Sequence, residues 1–478
     1  MFTFLSGLLI LLIGYIFYSK FVVKNFEISD ESTPANSNYD GFDFVPLSKW
    51  RNFLIQLLNI AGMGPILGAI QGILFGPIAF LLIPIGCILM GSVHDYATGI
   101  ISVRTKGAQV TGMIEKYLGK NVNRFFLVLI VIMLLMLTGV FLFSSGDVIA
   151  DECFNVTDFS LSNPIMIMLY SLVLIYFITA TMFPVDKFIG KLYPFFGALL
   201  IIGTGLIFCG FFVNGVALQE IDFSQLNKHP DKIALIPMFF MTVSCGLLSG
   251  FHSTQSTIIS RTLNKEKDAK TVFYGSMCLE SLIAMIWAAG AMHVYSNGLV
   301  SENLIGKVNV VNIIADAFVP EYLTIIVVLA VIVLPITSGD TALRGARMII
   351  SEAFNIEQKK IKNRILVAFP LIILVLCVLI YAKLDNEKFF IVWRYFTFCN
   401  QLISVPVLLI ASIYLYKKKK NYLLAFLPAL FMTFITMNFI ANAKVGLNLN
   451  EQISTVLAII MSIVVIVVFY KKYTKENN

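Results

Sequence analysis

The feature that most constrains this chain is a succession of apolar runs, each long enough to cross a lipid bilayer. A span needs about 20 apolar residues at a rise of about 1.5 Å each. Thirteen stretches qualify, near 2–23, 50–75, 76–103, 122–145, 162–184, 190–213, 236–261, 271–296, 320–344, 365–383, 389–416, 422–441 and 453–470. Hydrocarbon offers no water to backbone N–H and C=O groups, so runs of this kind form helices. The expected fold is an all-α integral membrane protein of about 13 transmembrane helices. Composition agrees: 58% of the 478 residues are hydrophobic and only 13% charged, roughly half the charge of a soluble domain.

The first run, "MFTFLSGLLILLIGYIFYSKFVV", lacks a basic leader and a small-residue cleavage site. It reads as a retained helix rather than a secretory signal. Charge then sets the expected orientation. Loops 20–51, 104–124, 185–191, 261–270, 344–364 and 417–420, with the tail from Lys471, hold 28 of the 35 Lys and Arg. Asp147, Asp151, Glu152, Asp158, Glu220 and Asp222 fall on the other side. By the positive-inside rule the N-terminus faces outward and the C-terminus the cytoplasm. The +7 net charge is thus a topology signal, and "KKKK" at 417–420 is a stop at the headgroups. The expected surroundings are lipid bilayer and a small-molecule substrate, not nucleic acid; the oligomeric state is not readable.

Two spans carry residues that a helix interior tolerates poorly. In "NIAGMGPILGAIQG", residues 59–72, Gly62, Gly64 and Pro65 fall together. Gly62 lies twelve residues beyond Trp50, about 18 Å into a core about 30 Å thick. A Pro kink with glycines for close packing would explain this break taken alone. A second one, Gly246 and Gly250 in "TVSCGLLSGFHSTQS", also falls near mid-membrane, in a span running the opposite way. Two interrupted helices of opposite direction suggest an inverted 5+5 repeat, over 50–213 and 236–416, with extra helices at both ends (1–49 and 417–478). Secondary transporters bind substrate and ions at such breaks. The halves share no residue-level identity, so the repeat rests on topology.

Ionisable residues inside spans are candidates for function. Glu280, in "MCLESLIAMIWAA", lies deep in its span and suits reversible protonation; a structural pairing with His252 or Arg394 is the alternative. His252 follows the second break directly, as ligand or as packing residue. In "GSVHDYATG", His94 and Asp95 sit toward the cytoplasmic end of their span and, as neighbours in sequence, point to different helix faces. That disfavours joint chelation and favours a gate or interface network. In "LPITSGDTALRGAR", Thr337, Ser338, Asp340 and Thr341 offer hard oxygens to Na⁺. They also suit the cap of a cytoplasmic helix starting near Asp340, with Arg344 and Arg347 at the headgroups. No GxGxxG, P-loop, HExxH or nucleophile elbow is present, so neither an enzyme nor an ATP-driven pump is expected. The seven cysteines contain no CxxC pair and indicate neither a zinc site nor a disulfide framework. No cofactor or resident metal is expected beyond a coupling H⁺ or Na⁺.

"AGMGPILGAIQGILFGPIAFLLIPIGCILMGSVHDYATG", "SGFHSTQSTIISRTL", "VFYGSMCLESLIAMIWAA" and "ITSGDTALRGARMII" resemble, in order, the signature blocks of the carbon starvation protein A family. The resemblance covers roughly residues 60–350. It implies a bacterial inner-membrane transporter taking up peptides or, in some members, pyruvate. It also implies kinship with the amino acid–polyamine–organocation (LeuT/APC-like) transporters. The family blocks fall on Gly62, Gly64, Pro65, His94, Asp95, His252, Gln255, Glu280, Ser338, Gly339 and Asp340. The chain is shorter than the long family members, so the resemblance names no substrate. The expected function is cation-coupled import of small organic nutrients; an uncoupled channel or a membrane nutrient sensor is the alternative, and a sensor would need an output module.

Overall fold

The computed structural model describes residues 1–474, apart from 155, 188, 303, 304 and 306–308. The described residues are helical; the sole β-type pairing among them is an isolated bridge between Leu47 and Leu263. The helices are α1 (Phe2–Phe26), α2 (Lys49–Ile60), α3 (Gly64–Phe75), α4 (Ala79–Arg104), α5 (Lys120–Phe154), α6 (Pro164–Met182) and α7 (Ile189–Val213). They continue as α8 (Leu235–Thr242) and α9 (Phe251–Ser260). Then follow α10 (Glu266–Ser296), α11 (Glu321–Ala353), α12 (Ile361–Lys383), α13 (Lys388–Lys417), α14 (Leu423–Asn442) and α15 (Glu451–Tyr473). Short helices at Val110–Leu118 and Asn309–Phe318 lie between spans.

Among the described residues, eleven of these are long and apolar enough to cross a membrane singly, and the count reaches twelve, against the thirteen expected, when α2 and α3, bent by 57° at their break, are taken as one span. The span expected near 236–261 is two helices of 8 and 10 residues. Neither can reach across about 30 Å at about 1.5 Å per residue. The α2 half packs on α9 and the α3 half on α8. First half therefore meets second half, and the interrupted helices run antiparallel, side by side.

Around them pack α4, α7, α10, α11, α13 and α14. Their burial grades with position: the most apolar window of α10 is 89% buried, that of α15 only 17%. Lipid solvates the outer helices, so exposed Leu, Ile and Phe are their natural surface.

Two expectations about the basic face, where the Lys- and Arg-rich loops gather, are corrected. α11 runs unbroken from Glu321 to Ala353 through Pro335, so Asp340 caps nothing and lies mid-helix. Arg344 and Arg347 are both 0% exposed rather than at the headgroups. The polar stretch 27–48 folds under the bundle and brings Asp43 to them. Arg344 Nη1 and Arg347 Nη2 lie 3.3 and 3.1 Å from Asp43 Oδ1. Burial works against the Asp43 charge, but Arg347 and Arg344 outweigh it and hold the carboxyl below its ordinary range.

Candidate functional site

The site begins with the two breaks, and the glycines are there because of how closely these approach. A Cβ on Gly64 would stand 2.4 Å from Cys245 Sγ, and one on Gly68 would stand 2.9 Å from the Thr242 carbonyl. Gly246 has φ +84°, a left-handed conformation that glycine adopts without strain. Its neighbour across the gap is Pro65. Of the predicted trio, Pro65 meets Gly246 and Gly64 meets Cys245, while Gly62 faces Ser338 and Phe141. Between the breaks lies a narrow pocket lined by Gly62, Gly64, Ser244 and Cys245, with Phe141 and Trp393 on its aromatic side.

A broken helix at this depth must have its freed backbone groups satisfied by protein. For the second break, α13 does this with two adjacent side chains. Asn400 Oδ1 accepts from the Phe251 N–H at 2.6 Å and from Ser249 Oγ at 3.1 Å, capping α9. Gln401 Nε2 donates to the Phe240 carbonyl at 2.8 Å, near the end of α8. Gly250 is where α13 comes closest: a Cβ there would lie 2.0 Å from the Asn400 carbonyl oxygen. Asn400 and Gln401 escaped the sequence reading. Their signal was present in "FCNQL", two amides side by side in an apolar span.

From the second break a buried polar chain crosses to α4. The Gly246 N–H donates to Glu280 Oε1 at 3.1 Å. Glu280 Oε2 lies 3.6 Å from His252 Nε2. His252 Nδ1 is 3.1 Å from Asp95 Oδ2, and Asp95 Oδ1 is 2.8 Å from His94 Nδ1. All four side chains are 0% exposed. His94 and Asp95 take part in a buried interface network, the arrangement expected of them over joint chelation, with the Asp95 carboxylate turned to reach the neighbouring ring. They also lie deeper than expected, about ten residues (roughly 15 Å) from the end of α4 at Arg104. Glu280 pairs with His252; Arg394 is exposed and lines a different pocket with Asn438 and Asn442. Cys245 Sγ, His252 and Glu280 converge with their ligand atoms all within 4.8 Å of one another.

The α11 residues divide. Ser338 Oγ donates to the carbonyls of Leu58 and Asn59 at 3.2 and 3.4 Å, at the frayed end of α2. Thr337 and Thr341 hydroxyls bond back to carbonyls of their own helix at 3.0–3.2 Å. Asp340 accepts from the Tyr193 hydroxyl of α7 at 2.6 Å, away from the Glu280 chain. Gly339 packs on the Phe177 ring of α6. Gln255 is buried and donates to Thr254 Oγ1 at 3.0 Å.

Comparison with known proteins adds identity to this geometry. The family model "Carbon starvation protein CstA" matches residues 1–168, 142–311 and 304–439. The chain belongs to the carbon starvation protein CstA family. An uncharacterized membrane protein of Haemophilus influenzae is 35% identical over 332 residues, covering 60% of this chain and 90% of the relative. The peptide transporter CstA of Bacillus subtilis is 23% identical over 98% of this chain and 96% of its own length. The pyruvate/proton symporter BtsT of Escherichia coli is 24% identical over 58% of this chain; the match spans 46% of that protein. In fold the chain is similar to a manganese transporter of Eremococcus coleocola, with a TM-score of 0.56 at 13% identity, over 90% of this chain and 96% of that one. As a member of this family with a transporter fold, the chain is a multi-span membrane transporter.

Proposed function

We propose that this transporter is a proton-coupled importer of small organic nutrients, either short peptides or small carboxylates such as pyruvate. The observation that carries this reading is the buried chain from Asp95 through His252 to Glu280, ending on the Gly246 N–H of the second break. The names of the Bacillus and Escherichia relatives support both the substrate classes and the coupling ion. Glu280 carries the proton. Asp95, bound to His252 Nδ1, sets that ring's orientation, and His94 steadies Asp95.

Substrate binds between the two breaks, at Gly62, Gly64 and Cys245, where the cleft, now wide enough for about one water, opens as the halves rock. The Phe251 N–H at the start of α9 is already taken by Asn400. A substrate carboxylate therefore meets the N-terminus of α3, where the helix dipole favours negative charge. The spans of 50–213 and 236–416 form the two halves that rock about this pocket. By the positive-inside rule the basic face, closed by Asp43 with Arg344 and Arg347, is taken as cytoplasmic, with the N-terminus outside and the C-terminus inside a bacterial inner membrane. Nutrient import of this kind fits a carbon-starvation role.

The test is uptake of radiolabelled pyruvate and short peptides into proteoliposomes holding the full chain, under proton and sodium gradients imposed separately. Accumulation driven by the proton gradient, and lost in Glu280→Gln, is the expected result. Normal pH-driven accumulation in that variant would remove Glu280 from the mechanism. Non-saturating flux with no dependence on either gradient would favour a channel.

Sodium coupling has one observation in its favour: Ser338 Oγ beside the Leu58 and Asn59 carbonyls gathers hard oxygens at the first break. It predicts uptake driven by sodium alone and abolished by Ser338→Ala.

A further inference from the structure

We propose that Cys245, His252 and Glu280 form a binding site for one divalent transition-metal ion of the Zn²⁺ class. The three come from different parts of the chain: the unwound segment, the first turn of α9 and the middle of α10. Their ligand atoms nevertheless lie within 4.8 Å of one another, and the three residues are 8%, 0% and 0% exposed.

Geometry is the first argument. With metal–nitrogen and metal–oxygen bonds of about 2.0–2.1 Å, two ligands of a tetrahedral ion stand about 3.4 Å apart. His252 Nε2 and Glu280 Oε2 are 3.6 Å apart. Neither atom has a hydrogen-bond partner, though both are fully buried. Asp95 occupies the other ring nitrogen at 3.1 Å. That contact favours the tautomer with the proton on Nδ1, which leaves a lone pair on Nε2 aimed at the carboxylate. A carboxylate–histidine pair of this kind is the usual outer support of a metal ligand. Two lone-pair-bearing atoms held face to face in a dry site call for a cation between them: either a proton or a metal.

The donor set decides which metal. A thiolate with an imidazole and one carboxylate is too soft for Mg²⁺ or Ca²⁺ and suits Zn²⁺ or Co²⁺. Three protein ligands leave a fourth position open. Cys245 lines the pocket between the breaks, which gives the ion its entry path. Because the metal takes the place of the proton on Glu280 and His252, it inhibits transport. That consequence rests on the proton-coupled reading; the binding site does not.

The experiment uses the full chain purified in detergent, titrated with Co²⁺ as an optical probe. Binding of one ion per chain, with visible d–d bands and a near-ultraviolet thiolate-to-cobalt band bleached by Zn²⁺, is expected. The thiolate band should vanish in Cys245→Ser, which keeps the other six cysteines. Affinity should fall about 10–100-fold in Asp95→Asn, the outer support. A thiolate band that persists in Cys245→Ser, or its absence from the wild-type chain, would overturn the proposal. The wild-type spectrum decides the matter even if a variant fails to fold. Proteoliposomes then separate the two readings. Uptake blocked by micromolar Zn²⁺ supports both; no proton-driven uptake with the cobalt spectrum intact refutes the coupling and leaves the site standing.

Discussion

Asp43→Asn removes the carboxylate that neutralises Arg344 and Arg347 and leaves nearly the same shape. At an effective dielectric of about 20, each guanidinium–carboxylate pair at about 4 Å between charge centres contributes about 4 kcal/mol. Two such pairs give about 8 kcal/mol before costs. Desolvation of the carboxylate, at several kcal/mol, and repulsion between the two arginines reduce this. The arginines also keep neutral partners: Arg344 donates to the carbonyls of Ala180 and Phe183, and Arg347 to Gln358 Oε1 at 2.6 Å. The net loss should be about 3 kcal/mol, the lower end for breaking a buried pair. At 1.4 kcal/mol per decade, opening of the 33–48 segment becomes more frequent by a little over 100-fold. Hydrogen exchange in peptides covering 40–48 reads this directly, and adding Arg347→Gln should restore part of the protection. Because the Asp43 carboxyl is held below its ordinary range, its contribution is complete above about pH 4. It is lost only as pH falls through the lowered value, so protection by this group should be flat from pH 5 to 8. Exchange changed by less than about threefold in Asp43→Asn would refute the reasoning.

Two further outcomes are expected at the breaks. Gly246→Ala forces a side chain into a positive-φ position and sets its Cβ 2.6 Å from that of Ala284. It should lower thermal stability by at least 1–2 kcal/mol, an order set by the left-handed strain alone. Gly205→Ala, where nothing lies within 4 Å, should be neutral or mildly stabilising; equal effects of the two in a detergent melt would contradict this account. Asn400→Ala removes the cap of α9 and should cost about 1 kcal/mol together with uptake. Asn400→Asp keeps the acceptor and should restore the melting temperature; a melt unaltered by Asn400→Ala would show that the cap contributes nothing.

The long helices were legible because a lipid span leaves so strong a signature: about 20 apolar residues have one backbone solution. The breaks were legible from Gly62, Gly64, Pro65, Gly246 and Gly250, since residues that weaken a helix do not collect at mid-depth without cause. Apart from the pairing of Glu280 with His252, what stayed hidden was set by tertiary contact. Arg344 and Arg347 read as headgroup anchors because their partner, Asp43, lies about 300 residues away in a polar loop. Cys245 looked like one of several scattered thiols; only the unwinding of 243–250 turns it toward His252 and Glu280. Asp340 resembled a helix cap because Thr, Ser and Asp are capping residues, yet burial against Tyr193 lets α11 continue through them.

One element touches both the first break and the closed face. α11 holds Ser338 against the frayed end of α2 and, six residues on, Arg344 against Asp43, about 9 Å along a single rigid rod. In the proton-coupled reading proposed above, the proton acts elsewhere: an ionised Glu280 accepts from the Gly246 N–H about twice as strongly as a neutral one, so protonation would loosen the second break. The two breaks touch through Gly64 and Cys245, and a change at Gly246 can reach Asp43 through α2 and α11 or through α9, which packs directly on α11. Coupled transport requires this, because an ion shifts a conformational equilibrium only through different interactions with its two states. Substitutions at well-separated sites add to within about 0.5 kcal/mol when they are independent. Asp43→Asn and Glu280→Gln, measured singly and together by exchange in 40–48, should depart from additivity by more than that. Strict additivity would mean that the break and the closed face open independently, and α11 would then be no more than a shared wall.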